Sequence, residues 1–124
     1  MANIELTKSY NAEAAIPANR IVRFGAADYG VVLASAATDA LVGVSTEIAA
    51  DPNERIDVIH QGIADVQLGG TVTRGALITS NATGQGVAAA PAAGANNRYI
   101  GTALIAGVSG DIIPVLLNPG SIQG

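Results

Sequence analysis

Short apolar stretches rich in Val and Ile recur along the chain at residues 20–24, 30–34, 41–45, 55–60, 63–68, 76–79, 99–105 and 112–117, each bounded by Gly, Pro, Asn or Asp. Several alternate with period two. Ile56, Val58 and His60 fall on one side of an extended chain and Asp57, Ile59 and Gln61 on the other, while Ile63, Asp65 and Gln67 oppose Ala64, Val66 and Leu68. Such runs are too short for stable helices and have the spacing of strands, so the pattern predicts an all-β fold, a small barrel or sandwich-like domain. Neither face of these strands is wholly polar, which suits strands covered on both sides or meeting a neighbouring subunit. The competing helical signal is strongest at residues 33–41, where Ala is frequent. That window has no cap and no sustained 3.6-residue stripe, which leaves room for one helical turn there and another at residues 73–76.

An offset of 56 residues aligns Ile16, Ile21, Val22, Gly30, Val31 and Ala34 with Val72, Leu77, Ile78, Gly86, Val87 and Ala90. After a two-residue slip, Val42-Gly43-Val44 aligns with Ile100-Gly101-Thr102. Asp57-Val58-Ile59-His60-Gln61-Gly62 then resembles Pro114-Val115-Leu116-Leu117-Asn118-Pro119-Gly120 with one residue inserted. Two similar β units, 16–62 and 72–120, joined by a strand at 63–70, are one reading; chance alignment of Gly and aliphatic residues is the other. Residues 1–15 fit no part of this repeat and read as an extended N-terminal arm preceding a β domain at 16–124. Ile4, Leu6 and Tyr10 lie on one side of that arm if it is extended, the pattern of a segment that stays mobile until it adds as a strand to a partner's sheet edge. Residues 81–97, nearly uncharged, read as a hairpin turn and a long surface loop.

Composition narrows the function. The 124 residues, 12.3 kDa, make one domain, and area scaling lets about two-thirds of the extended chain's surface be buried. Hydrophobic residues are 49% of the chain but aromatics only 3%, so Ala, Val, Ile and Leu must fill the core. Small side chains remove little area each, and self-association is therefore expected to add to the stability of a lone subunit. The absence of cysteine excludes disulfides, thiolate catalysis and Cys-based metal sites. Net charge −4 and pI near 4.6 have the wrong sign for a phosphate backbone, so no nucleic-acid partner is expected. The first residues lack the basic start and apolar run of a signal peptide, and no stretch reaches 18 apolar residues, so the expectation is a soluble protein made in a cytoplasm, with no membrane partner.

Motifs for chemistry are missing. No Gly-rich stretch leads to the Lys-Ser/Thr of a phosphate loop, and Gly107-Val108-Ser109-Gly110 is one residue short of a nucleophile elbow. Asp51-Pro52-Asn53-Glu54-Arg55-Ile56-Asp57 offers alternating oxygens but lacks the Gly and the closing Glu of a calcium loop, and a solvated turn is the better reading. His60, the one histidine, has no nucleophile motif and reads as a partly buried or interface imidazole. Asn81-Ala82-Thr83 spells a glycosylation acceptor only. No catalytic, cofactor or metal residues are nominated, and the chain is not expected to be an enzyme. Arg20, Arg23, Arg74 and Arg98 are candidate subunit or partner contacts, through bidentate pairs with carboxylates.

The segments Arg20-Ile21-Val22-Arg23-Phe24, Val42-Gly43-Val44-Ser45, Gly69-Gly70-Thr71-Val72-Thr73-Arg74-Gly75-Ala76-Leu77, Asn96-Asn97-Arg98-Tyr99-Ile100-Gly101 and Pro119-Gly120 give the chain a further aspect. With them it resembles the bacteriophage capsid cement, or head decoration, proteins over nearly its whole length. Leu77-Ile78-Thr79-Ser80-Asn81-Ala82-Thr83-Gly84 is also similar to the lambda-like head decoration proteins. The resemblance implies an N-terminal arm and a small β domain on the outside of a tailed-phage head, bound to the major capsid protein. It further implies synthesis in the bacterial host cytoplasm and self-association as a homotrimer ahead of a dimer. Many weak clamps acting together would strengthen the shell through multivalency. The alternative from another class is a ligand- or carbohydrate-binding β module on a virion surface, for which only Tyr10, Tyr29, Tyr99 and Phe24 could supply ring platforms.

Overall fold

The structure, a computed structural model, describes residues 2–124 and is all-β. Its strands are β1 (Asn3–Ala12), β2 (Ile21–Phe24), β3 (Gly30–Leu33), β4 (Leu41–Ser45), β5 (Arg55–Gln67), β6 (Leu77–Ser80), β7 (Gly86–Ala88), β8 (Asn96–Ala103) and β9 (Ile112–Gln123). They form one sheet in the order β1-β3-β2-β4-β5-β9-β8-β6-β7, and a further β1–β5 pairing joins the first five strands into a ring. The Val/Ile runs become strands because the punctuation between them cannot continue a ladder. Residues 55–60 and 63–68, expected as separate strands, are one strand, carried through Gly62 at φ 99. The windows 33–41 and 73–76 contain turns and bends and no helix.

The hydrogen-bond register decides between duplication and chance. Ile21 and Val22 pair with Val44 and Gly43, and Leu77 and Ile78 pair with Thr102 and Gly101. Val44 and Ser45 pair with Ile59 and Val58, and Thr102 and Ala103 pair with Leu116 and Val115. The bridge Ile16–Ala50 recurs as Val72–Gly107. Positive backbone angles recur as well, at Asn19 (φ 58) and Gly75 (φ 91), and at Asn53 (φ 68) and Gly110 (φ 92). Glu54 Oε1 accepts the Asp51 N–H in one unit, as Asp111 Oδ2 accepts the Val108 N–H in the other. Chance similarity among aliphatic residues does not reproduce register, turn angles and side-chain caps together.

The repeat also reaches further than the sequence alignment, which corrects the reading of residues 1–15 and 63–70. Lys8, Ser9, Tyr10 and Asn11 pair with Val58, Asp57, Ile56 and Arg55, and Ala64, Asp65, Val66 and Gln67 pair with Val115, Pro114, Ile113 and Ile112. The second half of β5 is therefore the second unit's version of β1, fused to the end of the first unit. The parallel pairing of β1 with β3, Ala12 beside Val31, has its counterpart in the single parallel bridge Leu68–Gly86. Far from being unpaired, the arm is an extended strand held within its own chain.

Two apolar clusters fill the units, built from aliphatic side chains as the composition requires. Ala12, Ile16, Val22, Val31, Val42, Ala50, Ile56 and Val58 form the first, with Tyr10 and Leu33 packed on it. The second contains Val66, Leu68, Val72, Ile78, Ile100, Ile113 and Val115, and it also takes in Ile21, Ala34, Val44 and Ile59 from the first unit. Those four side chains, all nearly inaccessible, weld the units together. Each fully buried Val or Ile contributes roughly 1.5–3 kcal/mol from area removed from water.

Candidate interaction surfaces

On β1 the three arm residues part company. Ile4 and Leu6 remain about half exposed, at 47% each, whereas Tyr10 turns inward to pack on the first cluster. Its hydroxyl hydrogen-bonds His60 Nε2 at 2.8 Å, with ring centroids 5.5 Å apart. Register shifts between Ile4 and Leu6 and between Leu6 and Thr7 interrupt the strict period-two pattern. His60 is the half-buried imidazole expected of it, and desolvation, aided by Lys8 and opposed by a bond to the Val42 backbone, lowers its pKa below the ordinary 6.5.

The four arginines occupy different settings. Arg20 lies between the units: its Nε donates to Gln67 Oε1 at 3.0 Å and its Nη1 to the Thr83 carbonyl at 2.8 Å. Beside it the Asn19 Nδ2 donates to the Asp65 carbonyl, the Gln67 N–H donates to the Asn19 carbonyl, and the Ile21 N–H donates to the Gly84 carbonyl. Residues 19–21 thus form a short clamp along the edge of the second half of β5. Arg23 sits 3.5 Å from Asp39 through Nε. Arg74 and Arg98 are exposed; Arg98 shares an open cleft of about 550 Å³ with Thr38, Leu41, Asn96, Tyr99 and Ser121. By the register, Arg20 corresponds to Ala76 rather than to Arg74, so the two arginines are not repeat partners.

The acidic segment is a turn capped by Glu54, and the Asn81 side chain closes its own turn by accepting the Thr83 and Gln85 N–H groups. Sequence reasoning missed Asn19, Gln67 and Glu13, polar residues whose importance depends on loops brought together by the ring. The Glu13 carboxylate accepts the N–H groups of Ala26 and Ala27 at 2.8 and 2.9 Å, anchoring the β2–β3 loop. These two bonds lower its pKa, with Arg23 adding to the effect and desolvation opposing it. A depressed carboxylate favours the folded loop above its ordinary pKa near 4.5, and that contribution is lost as pH falls through the folded value. Measured against intrinsic exchange rates, the protection of the Ala26 and Ala27 amides is expected to fall selectively as the pH is lowered beneath the ordinary carboxylate value of 4.5, and Glu13→Gln to remove that pH dependence. Exchange that follows pH identically in wild type and variant would contradict the anchor.

Comparison with known proteins adds one fold. The chain is similar to a crystal structure of the N base of the head fiber protein gp8.5 of bacteriophage phi29, with TM-score 0.69 and 14% identity over 91% of this chain and 93% of that one. No protein-family model and no curated protein matches the sequence.

Proposed function

We propose that this chain is a structural protein of the outer surface of a tailed-phage head, a cement or decoration protein that binds the major capsid protein and itself, as a homotrimer ahead of a dimer. The observation that carries the reading is the end-to-end fold similarity to the base of a phage head fiber, which spans both repeated units. Two stacked units of short strands, stitched by aliphatic contacts, suit a role in which surface and symmetry do the work. The chain has no catalytic role and no cofactor in this reading. Its synthesis is in the host cytoplasm, and its acidic surface keeps free subunits soluble and apart from the genome.

Purified protein mixed with heads that lack it is expected to co-sediment with them and saturate at a fixed copy number. Recovery only in the supernatant at micromolar concentration would overturn the reading. The cleft lined by Asn96, Arg98 and Tyr99 favours a second reading, a carbohydrate-binding module, which a glycan array showing selective binding lost in Tyr99→Ala would support.

A further inference from the structure

Where the two units carry different residues at one position of the repeat, the fold alone does not dictate the choice. The β2–β3 and β6–β7 ladders make Tyr29 the counterpart of Gly84, and the turns before β5 and β9 make Asn53 the counterpart of Gly110. All four have left-handed backbone angles, φ 61 and 68 in the first unit and 73 and 92 in the second. Glycine adopts this conformation freely and asparagine readily, but for an aromatic residue it is unfavourable. Tyr29 nevertheless occupies it, and stands 69% exposed, so its ring adds little to the core. The fold needs only a glycine there.

The two side chains that replace glycine meet at one place. With Ser9, Tyr10, Asn11 and Arg55, they line a shallow hollow of about 420 Å³, within the size range of small-molecule sites. Tyr29 is held firmly at its rim. The Asn11 N–H donates to the Tyr29 carbonyl, the Gly30 N–H donates to the Ala27 carbonyl, and Lys8 Nζ stands 5.3 Å from the ring centroid. The backbone here is already engaged, since Asn11 and Ala12 pair with Gly30 and Val31, so an added peptide strand is not the occupant. Contact is left to side chains: a flat ring, the Arg55 guanidinium, and the amides of Asn11 and Asn53, each both donor and acceptor. Among the described residues, none hydrogen-bonds those two amides or the Tyr29 hydroxyl. The lining has no aliphatic side chain of the kind that centres a protein contact.

We propose that this hollow is a saccharide-binding site of the first unit, in which the C–H face of a pyranose ring stacks on Tyr29 while Asn11, Asn53 and Arg55 bond its hydroxyl groups. A sugar ring has an apolar face and a rim of donors and acceptors, and an aromatic platform beside amides and a guanidinium is complementary to both. The second unit has no equivalent site. Its glycines supply no side chain, and its Asp65 and Gln67, which correspond to Ser9 and Asn11 by register, are bonded by Asn19 and Arg20 of the first unit. The site is separate from the cleft at Asn96, Arg98 and Tyr99 and independent of capsid attachment.

The test is a printed array of neutral and acidic oligosaccharides read with the intact labelled chain, followed by titration of the oligosaccharide bound most strongly. Wild type is expected to bind selectively. Tyr29→Asn, which suits the left-handed turn and lacks the ring, is expected to melt no lower than wild type and to bind about tenfold more weakly or worse. Arg55→Ala, at an exposed position, is expected to lose about threefold with its Tm unchanged. Tyr99→Ala is expected to bind as wild type does, and Tyr29→Asn to co-sediment with heads as wild type does. No selective binding on the array, or binding lost in Tyr99→Ala and kept in Tyr29→Asn, would overturn the site. Loss of co-sedimentation in Tyr29→Asn would assign the ring to the capsid protein and overturn it equally. Wild type that binds sugar through Tyr29 but ignores heads would overturn the capsid reading and leave this site standing.

Discussion

Removal of residues 1–14 is expected to unfold the first unit. The segment contributes Ala12, which is wholly inaccessible in the first cluster, and a strand paired with β5 from Asn3 to Asn11. It also closes the chain around it, since the Asn53 N–H donates to the Ala12 carbonyl, the Ala12 N–H to Glu54 and the Glu13 N–H to Val31. Each backbone bond is worth about 1 kcal/mol net, and the partners left in the ring lose more than that if they stay buried. The sum approaches the ~5–15 kcal/mol that holds a domain of ordinary stability together. Circular dichroism and amide spectra of the truncated chain should lose cooperative unfolding of the first unit, whereas removal of residues 1–5 should lower Tm only slightly. A 1–14 deletion that melts like the intact chain would contradict the place given to β1. A mobile arm, as the sequence pattern of residues 1–15 suggests, would instead leave the domain at 16–124 folded without it.

The second large effect is expected at two glycines that occupy one position of the repeat. A Cβ on Gly43 would meet the Ile59 carbonyl oxygen, and a Cβ on Gly101 the Leu116 carbonyl oxygen. Both neighbours are backbone on the adjacent strand, so relief requires opening the ladder rather than turning a side chain. Gly43→Ala and Gly101→Ala should each cost about 3 kcal/mol in urea unfolding. Gly70→Ala is the control, because its nearest neighbour would be Val87 Cγ1 at an ordinary 3.7 Å, and it should stay within about 1 kcal/mol of wild type. Equal, small effects at all three sites would mean that the paired glycines are not close-approach positions.

Much of the fold was readable in the sequence because strand-forming runs and their punctuation are local. Residues 41–45 coincide with β4, and the aligned set around Ile21, Gly30 and Gly43 lies at matching places of the two units. The boundary of the repeat was not readable. Lys8, Tyr10 and Ala12 have as counterparts Ala64, Val66 and Leu68, since the first strand closes one unit at its solvent-exposed end while the other lies inside the chain. Identity of position survived there without similarity of residue. The four arginines were visible as candidates, but their differences arise from tertiary neighbours. Arg20 bridges the units with its side chain, through Gln67 and a carbonyl rather than a carboxylate, whereas Arg98 does so with its backbone N–H, which donates to the Ala37 carbonyl. Asn19 and Glu13 carried no motif, and their roles depend on loops more than ten residues away in the chain.

The proposed role on a phage head is tested most directly by cryo-electron microscopy of heads prepared with and without this chain. The account predicts difference density on the outer surface alone, at symmetry-related positions, into which the two-unit fold fits. Identical maps from the two preparations, with the protein demonstrably present in the mixture, would contradict it.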